Sequence, residues 1–486
     1  MSSTDRQTLR TAKAIAVVAA AVLLAGCKGG PDYRKPALDM PAAWKVEAPW
    51  REGTPNDAAP KGPWWQVFGD PQLDALEQQA LSGSPTLAMA DARLAQARAL
   101  LAAAAAGQYP QVGVGARAAR QKISENRPLT NYNSPNFSTV QNDYVGTLTV
   151  GYEADISGRL RRTLEGARAT AEQSAADLEN VRLLVTADLA TAYFNLRALD
   201  VELDVLARSL GLQGRAVELA TTRHDLGATS GLDVAQQRAL LDSTLTQVDV
   251  LRKQRAQYEH AIATLTGTAA PLFSVAPQVR VVPPPAVPIG VPSDVLERRP
   301  DVASAERQMA AANAQIGIAN AAFYPSITLG GTYGAESRML SSLFDAPSLI
   351  WSLGMSLAQP LFDGGRLRAN VDSARAGYDA TVANYRRVVL TAMQEVEDGI
   401  TGMAALERAH VQAVAAIASA ARVLDLANDR YEGGVASYLE VITAQQGLLS
   451  SERLAAQLQG QRLLTAVFLV KALGGDWQDL KKLSVQ

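Results

Sequence analysis

The sequence predicts a mainly α-helical protein that carries a small set of β-strands with one apolar face and is built by internal duplication. Three observations carry this reading. A repeat runs in constant register, two proline-free stretches have helical periodicity over unusual lengths, and four short runs alternate apolar residues with period two. The formal net charge of -2 over 486 residues offers no basic excess for nucleic acid, so that class of partner is set aside.

The repeat comes first because every later element is placed on it. Gly158-Arg159-Leu160-Arg161 recurs as Gly365-Arg366-Leu367-Arg368, and Ala167-Arg168-Ala169 as Ala374-Arg375-Ala376, each 207 positions later. The same displacement carries Arg223, Gly227, Ser230 and Leu232 onto Arg430, Gly434, Ser437 and Leu439. Upstream it becomes 215, taking Pro85 to Pro300 and Tyr109-Pro110 to Tyr324-Pro325, so the first copy has its longer loop between Pro110 and Gly158. The proline-rich crossing from Pro277 to Pro292 separates the copies and reads as extended chain. These marks divide the chain into a signal peptide (1–26), an N-terminal segment (27–83), a first repeat (84–267), a connection (268–298), a second repeat (299–474) and a tail (475–486).

Within the first repeat, apolar residues from Leu178 recur at Val181, Val185, Leu189, Ala192, Leu196, Leu199, Leu203, Leu206 and Leu210. Steps of three and four give a helix with a coiled-coil-like seam over about 158–225, roughly 100 Å long at 1.5 Å per residue. A turn at Gly227 reverses the chain into a helix over about 231–266. The second copy repeats both over about 365–431 and 439–473 around Gly433-Gly434. Alanine-rich segments ending at Tyr109 and Tyr324 add one further helix to each copy.

Four runs have strand periodicity, at about 110–119, 143–155, 325–335 and 349–362. Ile327, Leu329, Gly331 and Tyr333 alternate with small or polar residues, as do Trp351, Leu353, Met355 and Leu357. Each run is close to the ten residues of a tilted membrane strand. Periodicity alone equally fits a soluble four-stranded sheet with one buried face. If the strands span a membrane, four cannot close a barrel whose smallest members have eight, so several chains must share one.

The N-terminus supplies the compartment. Arg6, Arg10 and Lys13 precede the apolar run Ala14 to Ala25, which ends at Leu24-Ala25-Gly26-Cys27. This reads as a secretory signal peptide with a lipobox-like end. Cys27 is the sole cysteine and has no intramolecular disulfide partner, so it is expected to carry a covalent diacylglycerol and N-acyl lipid. Lys28 stands where an aspartate would resemble an inner-membrane retention signal, favouring the outer membrane.

Enzyme chemistry finds no support. His224, His260 and His410 are far apart in sequence and read as surface or tunnel-wall residues, with His224 beside a tip turn. No phosphate-binding glycine loop or Gly-x-Ser-x-Gly elbow occurs, so energy is expected to come from a partner.

The lipobox, Gly30-Pro31-Asp32-Tyr33 with Pro36, Trp64-Trp65 before Phe68 and Asp70-Pro71, the duplicated unit and the Gly-Arg-Leu-Arg helix starts together resemble the TolC-like outer-membrane factors. The lipidated branch with OprM-like and NodT-like proteins is the most similar. The resemblance implies a homotrimer whose twelve strands, four per chain, form one barrel in outer-membrane lipid, continued by a long periplasmic α-helical barrel. It implies a passive exit duct of a tripartite efflux pump for drugs or other small molecules, working with a periplasmic adaptor protein and a proton-driven inner-membrane transporter of the resistance-nodulation-division type. Residues 40–83, 268–293 and 475–486 would form a belt. Tyr431, Glu440 and Asp233 would form the periplasmic gate, with Tyr431 linked to Asp233, and Arg223, Gly227, Arg430 and Gly434 would be the adaptor-contacting tips. Ala436 and Thr443 depart from charged residues found there in some members. Two alternatives stand beside this: a type I secretion duct, and a periplasmic coiled-coil adaptor lipoprotein, which would need no duplicated apolar strands.

Overall fold

The computed structural model describes residues 31–34, 62–122, 140–280, 282–285 and 298–475. Cys27 with the signal peptide, residues 35–61, the centre of the connection and the tail beyond Gly475 lie outside the described residues. The elements are α1 (Pro71–Gly83), α2 (Pro85–Ala106), β1 (Gln111–Lys122), β2 (Val140–Ala154), α3 (Arg159–Asp225), α4 (Gly231–Leu265), α5 (Pro300–Ala321), β3 (Ser326–Ser337), β4 (Leu349–Ala358), α6 (Arg366–Glu432) and α7 (Tyr438–Ala472). Both ends of α3 and α6, and of α4 and α7, stand 207 positions apart, and those of α2 and α5 stand 215 apart. Three strand boundaries differ by three residues or more: β1 runs on to Lys122 past 119, β2 starts at Val140 before 143, and β4 stops at Ala358, not near 362, because Pro360 has no N–H to donate.

Helix starts follow from side chains that accept their free N–H groups. The Asp70 carboxylate accepts from Gln72 and Leu73 N–H at 3.0 and 3.3 Å, with Pro71 at the first helical position of α1. Asp155 accepts from Leu160 and Arg161 at the start of α3, at 2.9 and 3.0 Å. Asp363 does the same for Gly365 and Leu367 before α6, at 3.0 and 2.8 Å.

The chain forms two compact units, and neither is a repeat. The first gathers Met1–Pro36, Leu94–Gln173 and Ala305–Tyr385; the second gathers Ala37–Arg93, Ser174–Ser304 and Arg386–Gln486. Each takes matching pieces of both copies, because strands pair with strands across the duplication: β2 of the first copy lies beside β3 of the second.

The first unit holds one antiparallel sheet in the order β1-β2-β3-β4. Residues 31–34 dock on its helices. Asp32 pairs with Arg162 at 3.3 Å, and Asn313 donates to the Pro31 carbonyl at 3.0 Å. Burial, aided by the Glu306 carboxylate, raises the Tyr33 hydroxyl above the ordinary phenol range.

The second unit has an interior core. A 3-10 turn, Trp64–Phe68, buries Trp64, Trp65 and Phe68 beside Leu73, Tyr193, Phe194, Leu196 and Ile262. Phe68 and Phe194 meet at 4.7 Å between ring centroids, and the Trp64 indole donates to Thr186 at 3.1 Å. The Tyr193 hydroxyl donates to buried Asp70 at 2.8 Å, and burial above all pushes its pKa up to about 12. A charged clamp holds the crossing segment to this core. Arg255 donates to Asp200 at 2.6 Å and to the Val275 carbonyl at 2.7 Å, Arg197 to the Ala276 carbonyl at 2.9 Å, and Gln278 N–H to Asp200 at 3.0 Å. The expected belt segment is thus fixed by backbone contacts that its loop-like sequence does not display.

Candidate functional site

The tips where α3 turns into α4 and α6 into α7 share one backbone. Gly227 N–H donates to the His224 carbonyl at 2.8 Å and Ala228 N–H to that of Arg223 at 2.7 Å. Gly434 and Val435 repeat this onto Tyr431 and Arg430, both at 3.0 Å. Each pair satisfies carbonyls at a helix end, and each glycine has φ +74°, the left-handed conformation that such an end requires. A Cβ at either position would meet nothing within 4 Å, so backbone conformation, not crowding within the chain, sets the choice of glycine. Arg223 and Arg430 occupy the last turns, at the negative end of the helix dipole.

The side chains on this common backbone are wired differently. Arg223 crosses from the first copy to the second, donating to the Tyr431 hydroxyl at 3.0 Å with its guanidinium 5.7 Å from the ring centroid. Tyr431 meets Tyr438 edge-on at 4.8 Å. Burial, then the neighbouring Tyr431, raises the Tyr438 pKa. Asp233 accepts from Thr229 of its own turn at 2.6 Å. The direct Tyr431–Asp233 link implied by the resemblance is therefore replaced within one chain: the phenol takes Arg223 and the carboxylate takes Thr229. Both still line one small cavity with Ala216 and Ala220.

In the second copy Ala436 stands where the first has Thr229, so Glu440 has no counterpart of the Thr229 hydroxyl. It accepts instead from Arg430 at 3.2 Å, in a pair about half exposed on both sides. His224, the counterpart of Tyr431, places Nδ1 3.1 Å from the Thr229 carbonyl and its ring against Gly231, the counterpart of Tyr438. Sequence reasoning did not single out Thr229 or Tyr438. The available signal was the difference between copies at those two registers. Among the described residues no three His, Cys, Asp or Glu side chains gather as a metal site.

The sheet supplies the second functional surface. Register aligns Val114, Leu148, Tyr333 and Trp351 across all four strands. Val114, Trp351, Leu353 and Met355 are 85, 72, 83 and 68% exposed. The alternate positions carry Thr149, Thr332 and Ser352 in one row. An apolar face with a polar reverse is the pattern of a membrane barrel strand. Tyr109, Phe323, Tyr324 and Phe362 are exposed where β1 and β3 begin and β4 ends, one end of the sheet by register. Such rings mark a membrane interface. Among the described residues β1 and β4 are edge strands without a second neighbour.

Helix α6 adds a third exposed surface. An 18-residue stretch with mean hydropathy 1.2 is only 6% buried, and Val411, Val414 and Val423 are over half exposed. Among the described residues this is the one helix long and apolar enough to cross a membrane.

Comparison with known proteins gives concordant results. A family model described as outer membrane efflux protein matches residues 76–268 and 291–475. The chain is 31% identical over 467 residues to the pyoverdine export outer membrane protein OpmQ of Pseudomonas aeruginosa, covering 96% of this chain and 97% of that protein. It is 32% identical over 470 residues to the toluene efflux pump outer membrane protein TtgF of Pseudomonas putida, covering 95% and 97%. The solved outer-membrane channel OprN superposes with a TM-score of 0.84 at 31% identity, covering 93% of this chain and all of that one.

Proposed function

The chain belongs to the outer membrane efflux protein family, and from that premise we propose that three copies join their sheets into a twelve-stranded barrel, continued by the paired long helices as a periplasmic tunnel. Its function is that of an outer-membrane efflux channel component. The observation that carries the trimer is the sheet: four strands, two unpaired edges and an exposed apolar face are incomplete in one chain.

The tips are the gate and the adaptor contact. Arg223 on Tyr431 ties the two hairpins of one chain, while Arg430 partly neutralises Glu440 in the first turn of α7. Gly227 and Gly434 shape the turns that a periplasmic adaptor would grip. A proton-driven inner-membrane transporter supplies the energy, and the cargo is drugs or other small molecules. The toluene and pyoverdine named for two relatives support that cargo class. Cys27 carries the lipid, and the docked Pro31–Arg34 segment supports a tether held to the same unit as the sheet.

One preparation tests these assignments. Protein extracted from the outer membrane should have the native mass of three copies, conduct ions in a planar bilayer, and show by mass spectrometry a triacylated Cys27 at its N-terminus. A monomeric or non-conducting protein overturns the duct, and an unlipidated N-terminus overturns the anchor alone.

A further inference from the structure

The apolar face of the sheet is charged at one end only. Register places Val112, Val114, Ala116, Ala118, Arg120 and Lys122 of β1 on the face shared by Leu148, Tyr333 and Trp351. Along the described strands this face is uncharged except at Arg120 and Lys122, and both are exposed. The acids of the strands, Asp143, Glu153 and Glu336, all fall on the reverse face. There Asp143 pairs with Arg117, and Glu153 pairs with Arg159 at 2.7 Å.

The charged end is the one away from the helices. Helices α2 and α5 lead into β1 and β3, and α3 and α6 leave β2 and β4, all at the end marked by Tyr109, Tyr324 and Phe362. Arg120 lies nine positions beyond Gln111, the first residue of β1. That is about 30 Å along a strand at about 3.4 Å per residue, or about 23 Å along a barrel axis at a tilt of about 40°. The apolar band of a membrane barrel is about 25 Å tall. With the aromatic ring at one interface, Arg120 reaches the headgroups of the opposite leaflet and Lys122 stands just beyond them. The β3–β4 loop at the same end is apolar: Met339, Leu340 and Phe344 are 62, 65 and 91% exposed. Ser342 fastens that loop, 2.8 Å from the Ser337 hydroxyl and accepting through its carbonyl from Ser348 at 2.7 Å.

We infer that Arg120 and Lys122 bind the phosphate of a glycolipid in the outer leaflet, whose acyl chains lie on the apolar face below them. The guanidinium offers paired donors to phosphate oxygens, and the ammonium adds a compact charge on a flexible stem. Asn142, the exposed cross-strand neighbour of Arg120, offers an amide N–H to the same group. With every strand acid on the reverse face, nothing on this face opposes an anion. The inference rests on the shared barrel proposed above and names a lipid that this barrel recognises. In that barrel β4 of one copy lies beside β1 of the next, so a lipid held by Arg120 also meets the apolar β3–β4 loop across the seam between copies.

Binding of diphosphoryl lipid A to the full-length protein in detergent, read by native mass spectrometry, tests the site. Arg120→Gln with Lys122→Gln should weaken binding about 10- to 30-fold. Lipid A stripped of its phosphates should bind the wild type as weakly as diphosphoryl lipid A binds that variant. Arg120→Lys should keep most of the binding. Arg93→Gln with Arg98→Gln, which removes the same charge from exposed positions on α2, should change nothing. Equal binding by the wild type and the Arg120/Lys122 variant, with the mass of three copies and the conductance intact, overturns the inference while the duct stands. Undiminished binding of the dephosphorylated lipid to the wild type overturns it too, whether or not the double variant assembles. Displacement of lipid A by millimolar inorganic phosphate would show that the cations take phosphate without lipid, and overturns the lipid as ligand. A wild type with the native mass of one copy overturns the site and the duct together.

Discussion

The two compact units use the same duplicated elements in opposite ways. In the second unit Leu73, Leu189, Leu196 and Ile262 are wholly buried, and Asp200, 1% exposed at its side chain, meets both Arg197 and Arg255. In the first unit the sheet turns Val114, Leu353 and Met355 outward and leaves both edge strands open. The contrast separates what one chain completes alone from what it must obtain elsewhere. The core of the second unit is closed by its own side chains, so it should be sensitive to cavities and orphaned charges in any solvent. In the proposed assembly the sheet face is closed by lipid and by other copies, so its sensitivity depends on what surrounds it.

The largest effect should come from breaking the self-contained side. Arg255→Ala removes three contacts at once: to Asp200, to Glu259 at 2.9 Å and to the Val275 carbonyl. Asp200 would keep Arg197 and the Gln278 N–H, and Glu259 would keep the Val275 N–H at 2.8 Å, but the Val275 carbonyl would lose the Arg255 donor. Breaking one side of such a buried pair costs about 3–5 kcal/mol. Denaturant unfolding should show that loss in detergent and in membranes alike. A loss below about 1 kcal/mol would mean that solvent reaches this clamp.

A smaller and conditional effect tests the other side. Leu353 is 83% exposed on β4, where an arginine on an ordinary soluble surface changes stability by no more than about 0.5 kcal/mol. In a barrel facing lipid near the midplane the same Leu353→Arg change costs about 2–4 kcal/mol. Refolding into lipid vesicles, with the measured cost compared between wild type and variant, decides which environment the face meets. A cost under 0.5 kcal/mol would break the comparison between units.

The legible part of this molecule was the part set by backbone chemistry. Both ends of each long helix can be found because glycine turns and the Gly-Arg-Leu-Arg starts recur in register, and the structure keeps that register through all four helices. The strands were visible as alternation, though the proline that stops β4 was read as part of the run. The tip wiring was not legible, because it hinges on one hydroxyl: Thr229 occupies Asp233, whereas Ala436 leaves Glu440 to Arg430. The compact units were hidden for another reason. A repeat in sequence does not state which copy its strands will pair with, and here β2 and β3 join across the duplication. Glu77 could have been noticed, since it falls on the stripe of Leu73, Leu76 and Ala80 along α1, where an acid is out of place.

At Glu77 the self-contained unit works against itself. Its side chain is wholly buried, and neither carboxyl oxygen has a hydrogen-bond partner among the described residues. Burial above all, and then the nearby Asp74 carboxylate, lifts its pKa from the usual 4.5 to about 9. Between those values the folded chain holds a proton that the unfolded chain has released. Stability therefore falls as pH rises through that window, by about 1.4 kcal/mol per unit for one proton. Glu77→Leu removes the titrating group and continues the apolar stripe, so it should stabilise the protein by on the order of 1–3 kcal/mol at pH 7. The advantage should grow from pH 5 to pH 8, because only the wild type is losing stability to deprotonation. Thermal unfolding of both proteins at the two pH values measures it. An equal advantage at both would show that Glu77 contributes through packing alone and that water or an ion already satisfies its charge.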